Sequence, residues 1–199
     1  MKSNETMRTI EARRSTRTFA SRDIHEDDII SILKAANQAP SAHNKQSWRF
    51  IVIRGARKQA LASLVNERAG QFGKPSSTLL RMAARSISSA PVVVAVVNTG
   101  ELVKHGTRSF EGVADISGLF RTMEIQSSAA AVQNMLLAAA SLGLASVWLG
   151  ILCLITEDVL TLLDVHEGEF MAVVPIGYAQ RKSAAPRKKP LENIVSYLS

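Results

Sequence analysis

Residues 129–142 read AAAVQNMLLAAASL, a helical stretch that is apolar almost all the way round. Such a helix is normally buried on every side. Either a large core inside one chain or the core of a dimer meets that demand. Gly143 follows it as a good helix stop. Residues 91–98 (PVVVAVVN) add a second constraint, an unbroken apolar run that predicts a strand covered on both faces.

The other elements fall around these two. Residues 48–54 (WRFIVIR), 145–149 and 170–176 (FMAVVPI) read as strands, the last closed by Gly177. Helical spacing runs over residues 4–12, 26–36, 56–68, 77–88 and from about Val113 to Leu142, with a short helix starting at Thr156. Residues 100–112 read as polar and irregular. Helices and strands mix without strict alternation, and no repeat or linker divides the chain. The prediction is one α+β domain over residues 1–199.

A chain of 199 residues with 46% hydrophobic side chains can bury its core without disulfides or metals. The single cysteine, Cys153, excludes an internal disulfide framework and a cysteine-rich zinc site. The longest aliphatic runs fall far short of the roughly 20 residues that span a membrane. No apolar leader opens the sequence, so a cytoplasmic protein without membrane contact is expected.

The net charge of +7 is unevenly placed: residues 1–60 carry 12 Lys/Arg against 6 Asp/Glu, residues 61–180 carry 7 against 10, and residues 181–199 carry 5 against 1. Two basic ends flank an acidic middle. A nucleic-acid binder would be more uniformly basic; two basic segments can instead converge on one small anion.

Three segments are candidates for chemistry. Arg13-Arg14-Ser15-Thr16-Arg17 offers guanidiniums and hydroxyls where a helix ends, donors suited to phosphate. Read alone it is equally a solvated charge run. Residues 40–46 (PSAHNKQ) place hydroxyl, amide and imidazole groups on a loop before a buried strand, either an ordinary turn or a cradle for a polar heterocycle. Residues 186–190 (PRKKP) form a basic tail. No metal-ligand spacing, Gly-x-Ser-x-Gly elbow, dinucleotide or P-loop glycine pattern, or RNA-reading motif occurs.

Taken in order, RRSTRTF, EDDIISILKAA, APSAHNKQSW, RFIVI, SAPVVVAV, AAAVQNMLLAAASLGLASVWLG, AVVPIGY and PRKKPLENIV resemble the FMN-dependent nitroreductase family. The resemblance runs from Arg13 to about Val195. It implies a central, mostly antiparallel sheet flanked by helices and an intertwined homodimer with FMN at the subunit interface. It implies ping-pong chemistry in which NADH or NADPH reduces FMN. The flavin then passes electrons to a small-molecule acceptor such as a nitroaromatic or quinone. It leaves open a flavin-dependent dehydrogenase or oxidase of a specialised substrate, or a flavin carrier without turnover. Nucleic acid is not an expected partner.

By the resemblance, Arg13, Ser15 and Arg17 match phosphate and ribityl contacts, with Arg14 in the same motif. Pro40, Ser41, Ala42, Asn44 and Gln46 match the loop that the other subunit sets beside the flavin. Leu149 and Gly150 match a strand end whose backbone approaches flavin N5. Arg187 and Lys188 match the C-terminal phosphate contact, which would account for the charge map. The family's Asn and Lys before the second strand correspond to Met82 and Arg85. Arg85 can replace the Lys near N1/O2, whereas the Asn is lost. The flavin carries the redox chemistry, so no catalytic side chain is required and no metal is expected. Protonation of product can come from solvent; His43 is the side chain that could serve instead, since imidazoles in general titrate near neutral pH. Substrate-facing positions fall in residues 66–76 and 100–121, with Phe72, Phe110 and Phe120 as stacking or core aromatics.

Overall fold

The structure, a computed structural model, describes residues 4–110, 112, 114–181 and 184–198. Strand β2 (Val92–Asn98) forms its axis. It pairs antiparallel on one side with β1 (Trp48–Ile53) and on the other with β4 (Glu169–Gly177), and β3 (Ala145–Ser146) pairs antiparallel with the far edge of β4. The order is β1-β2-β4-β3.

Alternation along β2 divides the core in two. Val93, Ala95 and Val97 face one layer, which holds Leu61, Val65, Leu80 and Ile87 from α3 (Gly55–Arg68) and α4 (Ser76–Ser89), and Val159 from α7 (Thr156–Leu162). Val92, Val94 and Val96 face the other, with Ile29, Ile32 and Ala36 of α2 (Glu26–Asn37) and Val132, Met135, Leu136 and Ala139 of α6 (Ile116–Ser141). Residues 92–97 are all 3% exposed or less. Burying one such side chain is worth roughly 1.5–3 kcal/mol, which explains why no polar residue interrupts the run.

β4 cannot alternate simply, because Phe170 and Val173 both face the first layer. A bulge between its pairings with Val96 and Val97 leaves Met171 without a β2 partner and shifts the parity. β3 is shorter than the sequence predicts. Beyond Ser146 its next partner is Pro175, which has no N–H to offer the ladder. Val147 N–H still donates to Pro175 O at 3.4 Å, with no bond in return, and Leu149 N–H donates to Val173 O at 2.9 Å in an isolated bridge.

The helices start where the sequence marks them. Asn4 caps α1 (Glu5–Ala12) by accepting from Met7 N–H, and three acids occupy the first turn of α2. One prediction fails: within the stretch read as irregular, Glu101–Ser109 forms a helix, α5. Its stripe is short, with Leu102 and Gly106 buried on α6, and glycine contributes no apolar signal to a sequence pattern. The expected start of the long helix at Val113 lies outside the described residues. The second half of α6 is buried on its core face, while Leu137 and Ala140 away from that face are half-buried. Within one chain its apolar surface is therefore incompletely covered.

Candidate functional site

The segment Arg13–Arg17 leaves the end of α1 and attaches to the sheet edge. Thr16 N–H donates to Ser146 O at 3.0 Å, and Ser15 forms a parallel bridge with Ser146. Thr16 and Phe19 turn into the core, whereas Ser15 and Arg17 are exposed. The result is a cavity of about 880 Å³ lined by Arg13, Arg14, Ser15, Arg17, Gln133 and Lys188, among others. The N-terminal basic motif and the C-terminal tail thus meet, and Glu11 is the one acid in the lining. Arg187 is exposed and not part of it.

Roles within the motif differ. The Arg14 guanidinium donates to Glu11 O at 2.5 Å and Arg13 O at 2.8 Å, so it closes the end of α1. Arg13, Arg17 and Lys188 supply the cationic lining. This donor set fits a phosphate ester: planar multi-donor groups, a point charge and a hydroxyl around a space larger than phosphate alone. Gln133 adds a side-chain amide to the lining. Its signal in the sequence is the polar interruption that Gln133 and Asn134 make in residues 129–142.

The 40–46 loop lies elsewhere in the chain. Ala42 N–H donates to Ser127 Oγ of α6 at 3.1 Å, and Gln46 N–H to Ser41 Oγ at 3.0 Å. His43, Asn44 and Gln46 all have positive φ, at 52°, 50° and 48°. Non-glycine residues in this region cost energy unless the surroundings enforce it. The Gln46 amide does so locally by donating to Asn44 O and Asn44 Oδ1. Among the described residues the loop shares no lining residue with the Arg13 cavity, so the two segments do not line one cavity within the chain.

Around the loop stands a group of rings. His43 makes edge contacts of 5.8 Å with both His105 and Phe120, and Phe110 lies 5.6 Å from Phe120. Phe120 is buried, Phe110 is 44% exposed, and Phe72 packs against the α3–α4 layer. Glu124, also missed from sequence, is buried beneath α5, and desolvation pushes its carboxyl pKa up.

Leu149 and Gly150 end the β3 side of the sheet. The Leu149 N–H donates to Val173 O at 2.9 Å. Gly150 is exposed, and its N–H has no hydrogen bond among the described residues. Arg85 is exposed on α4, away from the cavity lining. Among the described residues no His/Cys/Asp/Glu cluster suits a metal, and no helix is long and apolar enough to cross a membrane.

The sequence pattern of the nitroreductase family spans residues 10–178 of this chain. The chain belongs to the nitroreductase family. An Archaeoglobus fulgidus relative, provisionally named an NADH dehydrogenase/NAD(P)H nitroreductase, is 34% identical over 147 residues, 74% of this chain and 68% of its own. A BluB-like flavoprotein from Clostridium difficile is 26% identical with TM-score 0.75, covering 99% of this chain and 100% of that one. A provisionally named nitroreductase from Desulfovibrio desulfuricans, solved in complex with FMN, is 24% identical with TM-score 0.73 and 99% coverage of both chains. This nitroreductase fold therefore carries the basic cavity and the strained loop described above.

Proposed function

We propose that the chain is an FMN-dependent NAD(P)H oxidoreductase acting on nitroaromatic, quinone or similar planar acceptors. The observation that carries the reading is the convergence of Arg13, Ser15, Arg17 and Lys188 on one cavity. The FMN complex of the Desulfovibrio relative and the name of the Archaeoglobus relative support it. The chemistry a bound FMN supplies is hydride acceptance from NAD(P)H and electron delivery to an acceptor.

The chain's own residues bind and orient. Arg13, Arg17 and Lys188 hold the phosphate dianion, and Ser15 adds a neutral donor. Pro40, Ser41, Ala42, Asn44 and Gln46 contribute the strained loop beside the ring system. Gly150 N–H is the donor available at the sheet edge, and Arg85 is assigned to the pyrimidine end of the flavin. The proton for the reduced acceptor comes from solvent or from His43.

The loop and the cavity combine only if a second copy supplies one of them, so the proposal includes a homodimer with two equivalent sites. The half-buried outer face of α6 supports this, as do the exposed tail side chains Leu191, Ile194, Tyr197 and Leu198. A cytoplasmic location is part of the same proposal.

Anaerobic mixing of purified protein with NADH and with NADPH, followed by an acceptor panel, tests the reading. Flavin absorbance that bleaches with a nicotinamide and returns with a nitroaromatic or quinone is expected. Protein lacking flavin absorbance, or flavin that neither nicotinamide bleaches, would overturn it.

A further inference from the structure

Glu124 is an acid in the middle of a helix, 2% exposed and without an ion pair among the described residues. Burying a carboxylate is costly unless donors surround it. Here Leu102 N–H donates to Glu124 Oε1 at 3.3 Å, and the Ser47 hydroxyl and the start of α5 at Gly100 lie beside the carboxylate and favour its charged form. Ser47 directly follows the 40–46 loop, while Gly100 and Leu102 begin α5. One side chain of α6 therefore ties together two segments that are far apart in sequence.

The same segments meet again through rings, since His105 of α5 and Phe120 of α6 both touch His43 of the loop. The first-turn N–H groups of a helix have no partner within that helix. Glu124 supplies one for α5 at Leu102, which is buried. The partly exposed Phe110 and His105 then stand at a fixed position beside the loop.

We propose that Glu124 is a positioning residue: it latches α5 to the base of the 40–46 loop and so fixes the wall of Phe110, Phe120 and His105 against which the acceptor lies. The acceptor part rests on the oxidoreductase reading above. Glu124 touches neither acceptor nor cofactor in this account. It acts through α5.

The test compares holoenzyme carrying Glu124→Ala, Glu124→Gln or Ser47→Ala. Glu124→Ala should raise acceptor KM by about fivefold or more while kcat stays within about twofold. Hydrogen exchange at Leu102 and its neighbours in α5 should quicken by about tenfold. Glu124→Gln keeps an oxygen for Leu102 N–H and should restore both readouts toward wild type. Ser47→Ala leaves the carboxylate in place and should shift both in the direction of Glu124→Ala, by less. Should the alanine at 124 prevent folding, the other two variants decide. Unchanged exchange in α5, no advantage of glutamine over alanine, or equal losses in FMN affinity, kcat and KM would overturn the proposal. A wild-type chain that binds no flavin would sink the oxidoreductase reading and the acceptor role with it, while exchange would still judge the latch.

Discussion

The ring of Phe120 fills the space where a Cβ on residue 106 would stand, so α5 packs this closely on Phe120 only because residue 106 is glycine. Alanine there would gain about 0.8–1.0 kcal/mol of helix propensity. It would also drive a methyl into a buried ring, and overpacking typically costs about 1–3 kcal/mol. The collision wins. Gly106→Ala should lower the urea midpoint, and Phe120→Ala in the same chain should relieve part of that loss. Strict additivity of the two substitutions would show that the contact is not the cause.

At the basic cavity, Arg13→Ala should weaken FMN binding by about tenfold to more than a hundredfold, since a charge-assisted hydrogen bond contributes roughly 1.5–3 kcal/mol. Lys34→Ala, which removes an equal charge from the exposed side of α2, should change it little. Titration of apoprotein with FMN makes the comparison, and equal affinities would remove Arg13 from the site. The cofactor released on denaturation should chromatograph as FMN and not FAD.

Shared sites have a genetic signature. Arg13→Ala damages the cavity and Asn44→Ala the loop, so each homodimer has two damaged sites. Refolded together, the mixed dimer holds one doubly damaged site and one intact site, and activity should partly return. Verified mixed dimers with no recovery would place both segments in the same subunit's site.

Asp158 gives a pH dependence of known sign. Its hydrogen bond from Arg68, Nη2 to Oδ1 at 2.7 Å, holds its carboxyl below the usual aspartate range. A depressed folded-state pKa gives stability that is present above the unfolded-state value and lost as pH falls through the folded one. The link between α3 and α7 should therefore weaken only in acid, below the ordinary aspartate range. Asp158→Asn should lower the melting temperature in the neutral region by an amount that shrinks towards zero in acid, and so flatten the acid limb of the profile. An identical acid limb in both proteins would show that the pair contributes nothing.

The sequence made β2, α2, α3, α4 and α6 legible because each carries a long apolar pattern of one period. It hid α5, whose contact with α6 is a glycine, and it overextended β3, whose ladder is cut by Pro175 on a different strand. The site followed the same rule. Arg13, Ser15 and Arg17 announced themselves as a cluster within five residues, and Gln133 as a break in an apolar run. Glu124 looked like one surface acid among 17 Asp/Glu, because its partners are backbone groups that a sequence does not display. The availability of Gly150 N–H in place of Leu149 depended on where Val173 directs its carbonyl.

β2 has a consequence for how the molecule comes apart. Its backbone is the floor of one apolar layer and the ceiling of the other, with neighbouring side chains committed to opposite sides. Peeling away α2 and α6 would bare Val92, Val94 and Val96; peeling away α3, α4 and α7 would bare Val93, Ala95 and Val97. Neither layer keeps a complete core without the other. Melting should therefore be a single cooperative event, with calorimetric and van't Hoff enthalpies in agreement per cooperative unit, and a stable half-protein made from either layer alone is not available to this chain.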